Sequence, residues 1–265
     1  MSHSGIHGMR AAGDDALAVA PKLSDADWEA PSAADGWSVK DVYIHLGALL
    51  ELLQAAIAGA EAPPIGIEEL NEQAVAERRD WPAARATGFL REQLDLASGA
   101  FTALQEEPIA STQTALLDLG QYPLHAIPDM FSFDLTTHLR YDVLQPRGPV
   151  DVNITALDEI RIAPAISWLI GGLSQMQPEL ADYIEAPITL ELVGPGARQI
   201  QLSAHGGGVR VAEPPDAAAP SAAVLTSNTA DFLAWSTRRM PWQESVQVAG
   251  DLGVARSFLD VVNLI

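Results

Sequence analysis

Asp134 and His138 stand four residues apart in the stretch FSFDLTTHLRYDVL, Phe131 to Leu144. On an α-helix, with 3.6 residues per turn, that spacing sets both side chains on one face a single turn apart. A carboxylate and a neutral imidazole so placed are two ligands toward a divalent metal, although the same pair can simply hydrogen-bond, and spacing alone does not choose. A third donor lies far upstream. His45, in WSVKDVYIHLGALLELL, borders the apolar stripe Val42, Leu46, Leu49 and Leu53. By itself a histidine there is most often a core or boundary residue bonded to a neighbouring element. Two imidazoles and one carboxylate facing inward from packed helices would make a site with open positions, suited to zinc or another divalent metal working as a Lewis acid. Asp142, one turn past His138, could orient that imidazole or be a solvated residue at a helix end. His125, between Pro123 and Pro128, could line a pocket mouth. His205, beside Gly206, reads as a turn residue, and His3 and His7 as surface residues of a frayed terminus.

The totals narrow the chemistry. The 265 residues contain no cysteine, which excludes disulfides, thiolate metal sites and a catalytic cysteine; any thiol chemistry must use a thiol supplied as a small molecule. Fifteen Lys plus Arg against thirty-five Asp plus Glu give a formal charge of −20, a field that repels phosphate backbones and anionic lipid. Nucleic acid and membrane are therefore not expected partners. An arginine in a pocket gains meaning against that field, because an anionic substrate would need it. No apolar run approaches the ~20 residues of a membrane span, and the N-terminus lacks a signal-peptide layout, so the cytoplasm is the expected address. There is no GxGxxG after a strand, no P-loop, no HExxH and no GxSxG.

These residues need elements to hold them. Helices are expected over Met9–Leu23, from an N-cap at Ser38 to near Gly59, over Pro82–Gln105 and over Pro128–Gln145. Ser38 with Asp41 three residues on makes a capping-box-like start. Residues 67–79 read as a short helix or a lid, and Thr114–Leu119 as a short apolar stretch. Four long helices imply a bundle, and bundle interiors are where inward Asp, Glu and His build metal sites. After Pro146-Arg147-Gly148-Pro149, a linker and stop, the character changes. A helix over Ala156–Met176 precedes alternating runs APITLELVG, ARQIQLSAHG, GVRVAEPP and AAVLTSN, with hairpin turns at GPGA and at the glycine triplet. Helices follow at Asn228–Met240 and Asp251–Leu264, with a short strand at 246–248 between them. The expected fold class is α+β: a bundle over 1–148, then a smaller domain over 149–265 with a mainly antiparallel sheet and helices on one face.

WSVKDVYIHL resembles the opening of the second helix in the DinB/YfiT-like metal-binding four-helix bundles, and DLTTH resembles the carboxylate-x-x-x-His pair of their fourth helix. More narrowly, the two-part layout is similar to the mycothiol-dependent maleylpyruvate isomerase family, in which such a bundle precedes a sterol-carrier-like α/β domain. There DFLAWSTRRM and VQVAGDLGVARSFLDVV resemble the family's helix, arginine, strand and final helix. The resemblance implies a metal, usually zinc, held by His45, Asp134 and His138, with mycothiol or a similar thiol bound at the open position as thiolate. It further implies addition of that thiol to a substrate double bond, rotation and elimination, in an isomerase or S-transferase. Arg238, with Arg239 as its neighbour and alternative, would hold a carboxylate of substrate or thiol. A small-molecule-binding protein with a vestigial metal site is the alternative. The family carries Glu where this chain has Asp134; one methylene fewer withdraws the carboxylate by about 1.5 Å, so ligation calls for helix displacement or a bridging water.

Overall fold

The structure, a computed structural model, describes residues 3–61, 63–216 and 220–264. They form two compact units that divide between Ala156 and Leu157. The fold is α+β.

The first unit is a helical bundle of α1 (Ser4–Val19), α3 (Val39–Ile57), α5 (Ala83–Ala103) and α6 (Ile127–Thr137), with the short α2 (Asp25–Glu29) and α4 (Ile67–Ala76) in its connections. Helix α1 packs on α6 and α5, and α3 packs on α5, α4 and α6. Met9, Ala12, Ala16 and Val19 from α1, and Ala86, Leu90, Leu94, Ala97 and Phe101 from α5 are buried, as are Val42, Leu46 and Leu49 of the expected α3 stripe, while its Leu53 is half-buried. Two polar or aromatic ties fix how helices meet. The buried Tyr43 hydroxyl donates to Ala16 O at 2.8 Å, joining α3 to α1, and Phe101 stacks on Phe131 at 5.5 Å, joining α5 to α6. Burial pushes the Tyr43 phenol upward in pKa, which keeps it a donor.

Several boundaries differ from expectation for identifiable reasons. Helix α1 starts at Ser4, ahead of the expected Met9, because Gly5, Ile6 and Gly8 are buried; His3 and His7 are exposed, and Met1 and Ser2 lie outside the described residues. The stretch at 114–119 opens a two-stranded hairpin, β1 (Gln113–Ala115) with β2 (Gln121–Pro123). The fourth helix does not run evenly to Gln145. After Thr137 it widens into a π-helical turn, His138–Val143, in which Leu144 N donates to Leu139 O five residues back. Gln145 precedes Pro146 and is thereby disfavoured in helical conformation, so the helix stops and Leu144 turns extended. Residues 149–155, expected with the second domain, stay with the first. Val150 N donates to Val143 O, Gln145 N to Val150 O, and Arg140 Nη2 to Thr155 O.

The second unit carries α7 (Glu159–Gly172), then β3 (Ile188–Val193), β4 (Arg198–His205), β5 (Gly208–Ala212), β6 (Ala223–Asn228), α8 (Thr229–Ser236), β7 (Gln247–Gly250) and α9 (Leu252–Leu259). The sheet order is β5-β4-β3-β6-β7, antiparallel except for the central β3–β6 pair. Along β3, Ile188, Leu190 and Leu192 are buried while alternate residues are more open, the period-two pattern of a sheet with one core face. Gly206 and Gly207, at φ 60° and 81°, make the β4–β5 hairpin, a conformation other residues adopt at a cost. The Asn228 side chain caps α8 as expected, accepting from Ala230 N. Among the described residues no helix is long and apolar enough to cross a membrane.

Candidate metal centre

His45 lies two turns inside α3, among buried residues. Ser38 accepts a hydrogen bond from Asp41 N and the Asp41 carboxylate accepts one from Ser38 N, a complete capping box at the start of that helix. The loop before it is anchored too: Ala33 N donates to Asp142 O at 2.8 Å, tying the entrance of α3 to the π turn. Asp134 projects from the last turns of α6. His138 is the first residue of the π turn, one helical turn later.

The three expected residues converge. Each offers a donor atom, and these atoms all lie within 4.8 Å of one another. His45 Nε2 is 3.4 Å from Asp134 Oδ2, and His138 Nε2 is 3.5 Å from Asp134 Oδ1. The imidazoles meet edge to face at 4.9 Å between centroids. Asp134, although shorter than glutamate, thus stands beside both rings.

A metal fits these residues on two counts. Ligands held about 2.1 Å from a tetrahedral zinc sit roughly 3.4 Å apart from one another, and the two imidazoles lie 3.4 and 3.5 Å from the two different oxygens of Asp134, within the 4.8 Å that spans all three donors. In addition, His45 Nε2 is buried and makes no hydrogen bond among the described residues, a costly state for a ring nitrogen unless something else engages it. Three protein ligands leave a further position for a small molecule.

Around the donors lie groups that hold them. Asp142, only 1% exposed, sets Oδ2 at 2.8 Å from His138 Nδ1, a close but bent ion-pair contact, and its Oδ1 accepts from Arg147 Nη1. Trp37 lies against both rings, at 4.8 Å from His45 and 6.3 Å from His138. Its indole Nε1 donates to Glu72 at 2.7 Å, and Arg79 pairs with Glu72 at 3.1 Å and approaches Asp41 at 3.6 Å. Helix α4 is thereby tied to the rim. The sequence reading singled out neither Trp37 as a wall nor Arg147 as a partner. Signals existed for both: a tryptophan immediately before an N-cap, where a hydrophobic residue packs back onto its helix, and a cation five residues after a helical aspartate.

The other expected residues stand elsewhere. His125 Nδ1 lies 2.9 Å from Ala110 O and its amide donates to the same oxygen, so it anchors a connection. His205 closes the β4–β5 hairpin opposite Gly208. Arg238 belongs to the second unit, with a left-handed backbone at φ 55°. Its Nε donates to Val262 O at 3.2 Å, and its Nη2 to Val261 O at 3.0 Å and Asp260 O at 3.3 Å, carbonyls at the end of α9. The side chain also lines a cavity of about 280 Å³ with Trp235, Met240, Trp242 and Leu259.

Residues 9–125 match the model of the mycothiol maleylpyruvate isomerase N-terminal domain, a segment that includes His45 and ends before Asp134. Two solved structures share the fold over 94% of this chain and 93% of theirs, each with a TM-score of 0.59. They are the mycothiol-dependent maleylpyruvate isomerase, at 15% identity, and a histidine-to-alanine variant of it, at 14%. No curated protein sequence matches.

Proposed function

We propose that the protein, whose residues 9–125 match the mycothiol maleylpyruvate isomerase N-terminal domain, is a metal-dependent enzyme that activates a low-molecular-weight thiol, mycothiol or one like it. Its reaction would be isomerisation or S-transfer on a small anionic substrate. The observation that carries the proposal is the convergence of His45, Asp134 and His138 from two helices, with one donor atom of each within 4.8 Å of the others. When bound there, zinc would lower the pKa of a coordinated thiol and supply a thiolate at neutral pH.

The chain's residues account for the rest. Two neutral imidazoles and one carboxylate cancel only part of a divalent charge, leaving the site attractive to an anionic sulfur despite the chain's net charge of −20. Trp37 covers the imidazoles and limits water on that side, which keeps a thiolate from being swamped by solvent. The thiol comes from outside, because the chain has no cysteine. Arg238 is the residue assigned to a carboxylate of substrate or thiol, through Nη1, the guanidinium nitrogen not engaged with a carbonyl. Arg238→Lys should lower Tm in either case, because it loses bonds to the 260–262 carbonyls; a carboxylate-holding role would also raise KM for a diacid, whereas a purely structural role would leave KM unchanged.

The deciding measurement is metal content of the protein purified without added metal, beside His45→Ala and His138→Ala. Near one zinc per chain, lost in both variants, supports the proposal and justifies assaying thiol-dependent isomerisation of unsaturated diacids. No metal in the native protein, and none retained after zinc reconstitution, overturns it in favour of a small-molecule-binding protein with a vestigial site.

A further inference from the structure

We propose that Arg147 is a positioning residue for His138, acting through Asp142, and that the 144–150 loop is thereby part of the metal-site machinery. This rests on the assignment of His45, Asp134 and His138 as ligands. A carboxylate as buried as Asp142 persists where it is paired, and its two oxygens have divided the work: Oδ2 faces His138 Nδ1 at 2.8 Å and Oδ1 accepts from Arg147 Nη1. The approach is bent and makes no hydrogen bond among the described residues, yet at 2.8 Å a bare Nδ1 would still set its lone-pair density against the carboxylate oxygen. Nδ1 therefore carries the proton, and Nε2 carries the free lone pair on the side where Asp134 Oδ1 lies 3.5 Å away.

Asp142 alone would not hold this arrangement, because a carboxylate can turn about its terminal torsion. Arg147 stops that rotation by engaging the other oxygen, while the same Nη1 reaches Tyr141 O at 3.4 Å. Nor is Arg147 on a loose arm. Gly148 N donates to Leu144 O at 2.9 Å, Gln145 N to Val150 O at 2.9 Å and Val150 N to Val143 O at 3.0 Å, which folds the loop back on the π turn. Gly148 itself sits where any Cβ would collide with the Val143 carbonyl group. Arg147 is 36% exposed along its side chain, so replacing it removes a contact without opening the core.

The test uses the full chain with Arg147→Met, Arg147→Lys and Asp142→Asn, read in two ways. The first is the imidazole 15N spectrum of the metal-free protein, which reports which nitrogen of His138 is protonated; the second is zinc affinity by competition with a chelator. The expected result is an Nδ1–H tautomer in the native protein, a shift toward Nε2–H in Arg147→Met with roughly 10- to 100-fold weaker zinc binding, and recovery of both in Arg147→Lys. His45 resonances should stay in place. Native tautomer and native affinity in Arg147→Met would overturn the proposal and leave Arg147 as an ordinary surface ion pair. If the native protein binds no zinc, the ligand assignment fails, while the tautomer of His138 still decides whether Arg147 acts through Asp142.

Discussion

The two imidazoles of the site are held by opposite means. His45 lies in the regular interior of α3, with 3% of its side chain exposed, under Trp37 and with an Nε2 that makes no hydrogen bond among the described residues. It is fixed by packing alone. His138 lies at the start of a π turn, against a buried aspartate that is itself held by an arginine. It is fixed by charge and by loop geometry. The packed imidazole has an unbonded nitrogen facing the site, a cost that metal binding would relieve, whereas the unbonded nitrogen of His138 faces away from it, 2.8 Å from an Asp142 carboxylate that needs its loop intact. The difference can be pressed from each side.

The largest effect is expected on the charge-held side. Gly148→Ala forces a methyl into the Val143 carbonyl, and the π turn must move. Stability should fall by about 2–3 kcal/mol, the usual cost of overpacking that shifts backbone, with zinc affinity falling alongside; urea denaturation and chelator competition on one sample would show it. Unchanged affinity would mean that His138 does not depend on the loop. Next in size, His138→Leu takes a partner from a carboxylate that is 1% exposed and should destabilise the metal-free protein by about 1–3 kcal/mol. His45→Leu should do the reverse. It replaces an unbonded buried nitrogen by apolar volume, so the metal-free protein should gain about 1 kcal/mol while losing metal binding. The opposed signs, read as shifts in denaturation midpoint, are the sharpest form of the comparison, and equal signs would dissolve it.

The same division decides what the sequence disclosed. The packed side was legible: Ser38 with Asp41 marked the start of α3, the stripe Val42, Leu46, Leu49 marked its inner face, and His45 was placed at the border of that stripe. Asp134 and His138 were legible for the same reason, since i and i+4 share a face whether or not the helix later widens. The charge-held side was not. A π turn has no periodicity distinct from an α-helix over six residues, and the contact between Asp142 and Arg147 crosses a turn whose path depends on tertiary hydrogen bonds such as Val150 to Val143. Arg147 therefore looked like part of a linker. The hairpin at 113–123 escaped for a related reason: strands of three residues are too short to show alternation. In the second unit the alternating runs and glycine turns gave away β3, β4, β5 and β6, while the parallel β3–β6 pairing is a long-range choice that no local pattern encodes.

The smallest test separates helix stability from ligand placement. Two serines in this chain carry the same device: Ser24 caps α2 with Asp27, and Ser38 caps α3 with Asp41. Only the second precedes one of the proposed ligands. Ser38→Ala should cost about 1 kcal/mol, yet zinc affinity should change little, because His45 sits two turns inside α3 where packing holds it. Ser24→Ala should leave affinity untouched, and its signature is in pH. The Ser24 hydroxyl, and secondarily its amide, hold the Asp27 carboxyl below the ordinary carboxylate pKa. A depressed folded-state value means the contribution is present above the ordinary carboxylate value and is lost as pH falls through the depressed one. Thermal midpoints of native protein and Ser24→Ala should therefore converge in acid and separate toward neutrality. A marked loss of zinc affinity in Ser38→Ala, with none in Ser24→Ala, would show that the cap and not the packing sets His45, and both imidazoles would then depend on hydrogen bonds at the ends of their helices.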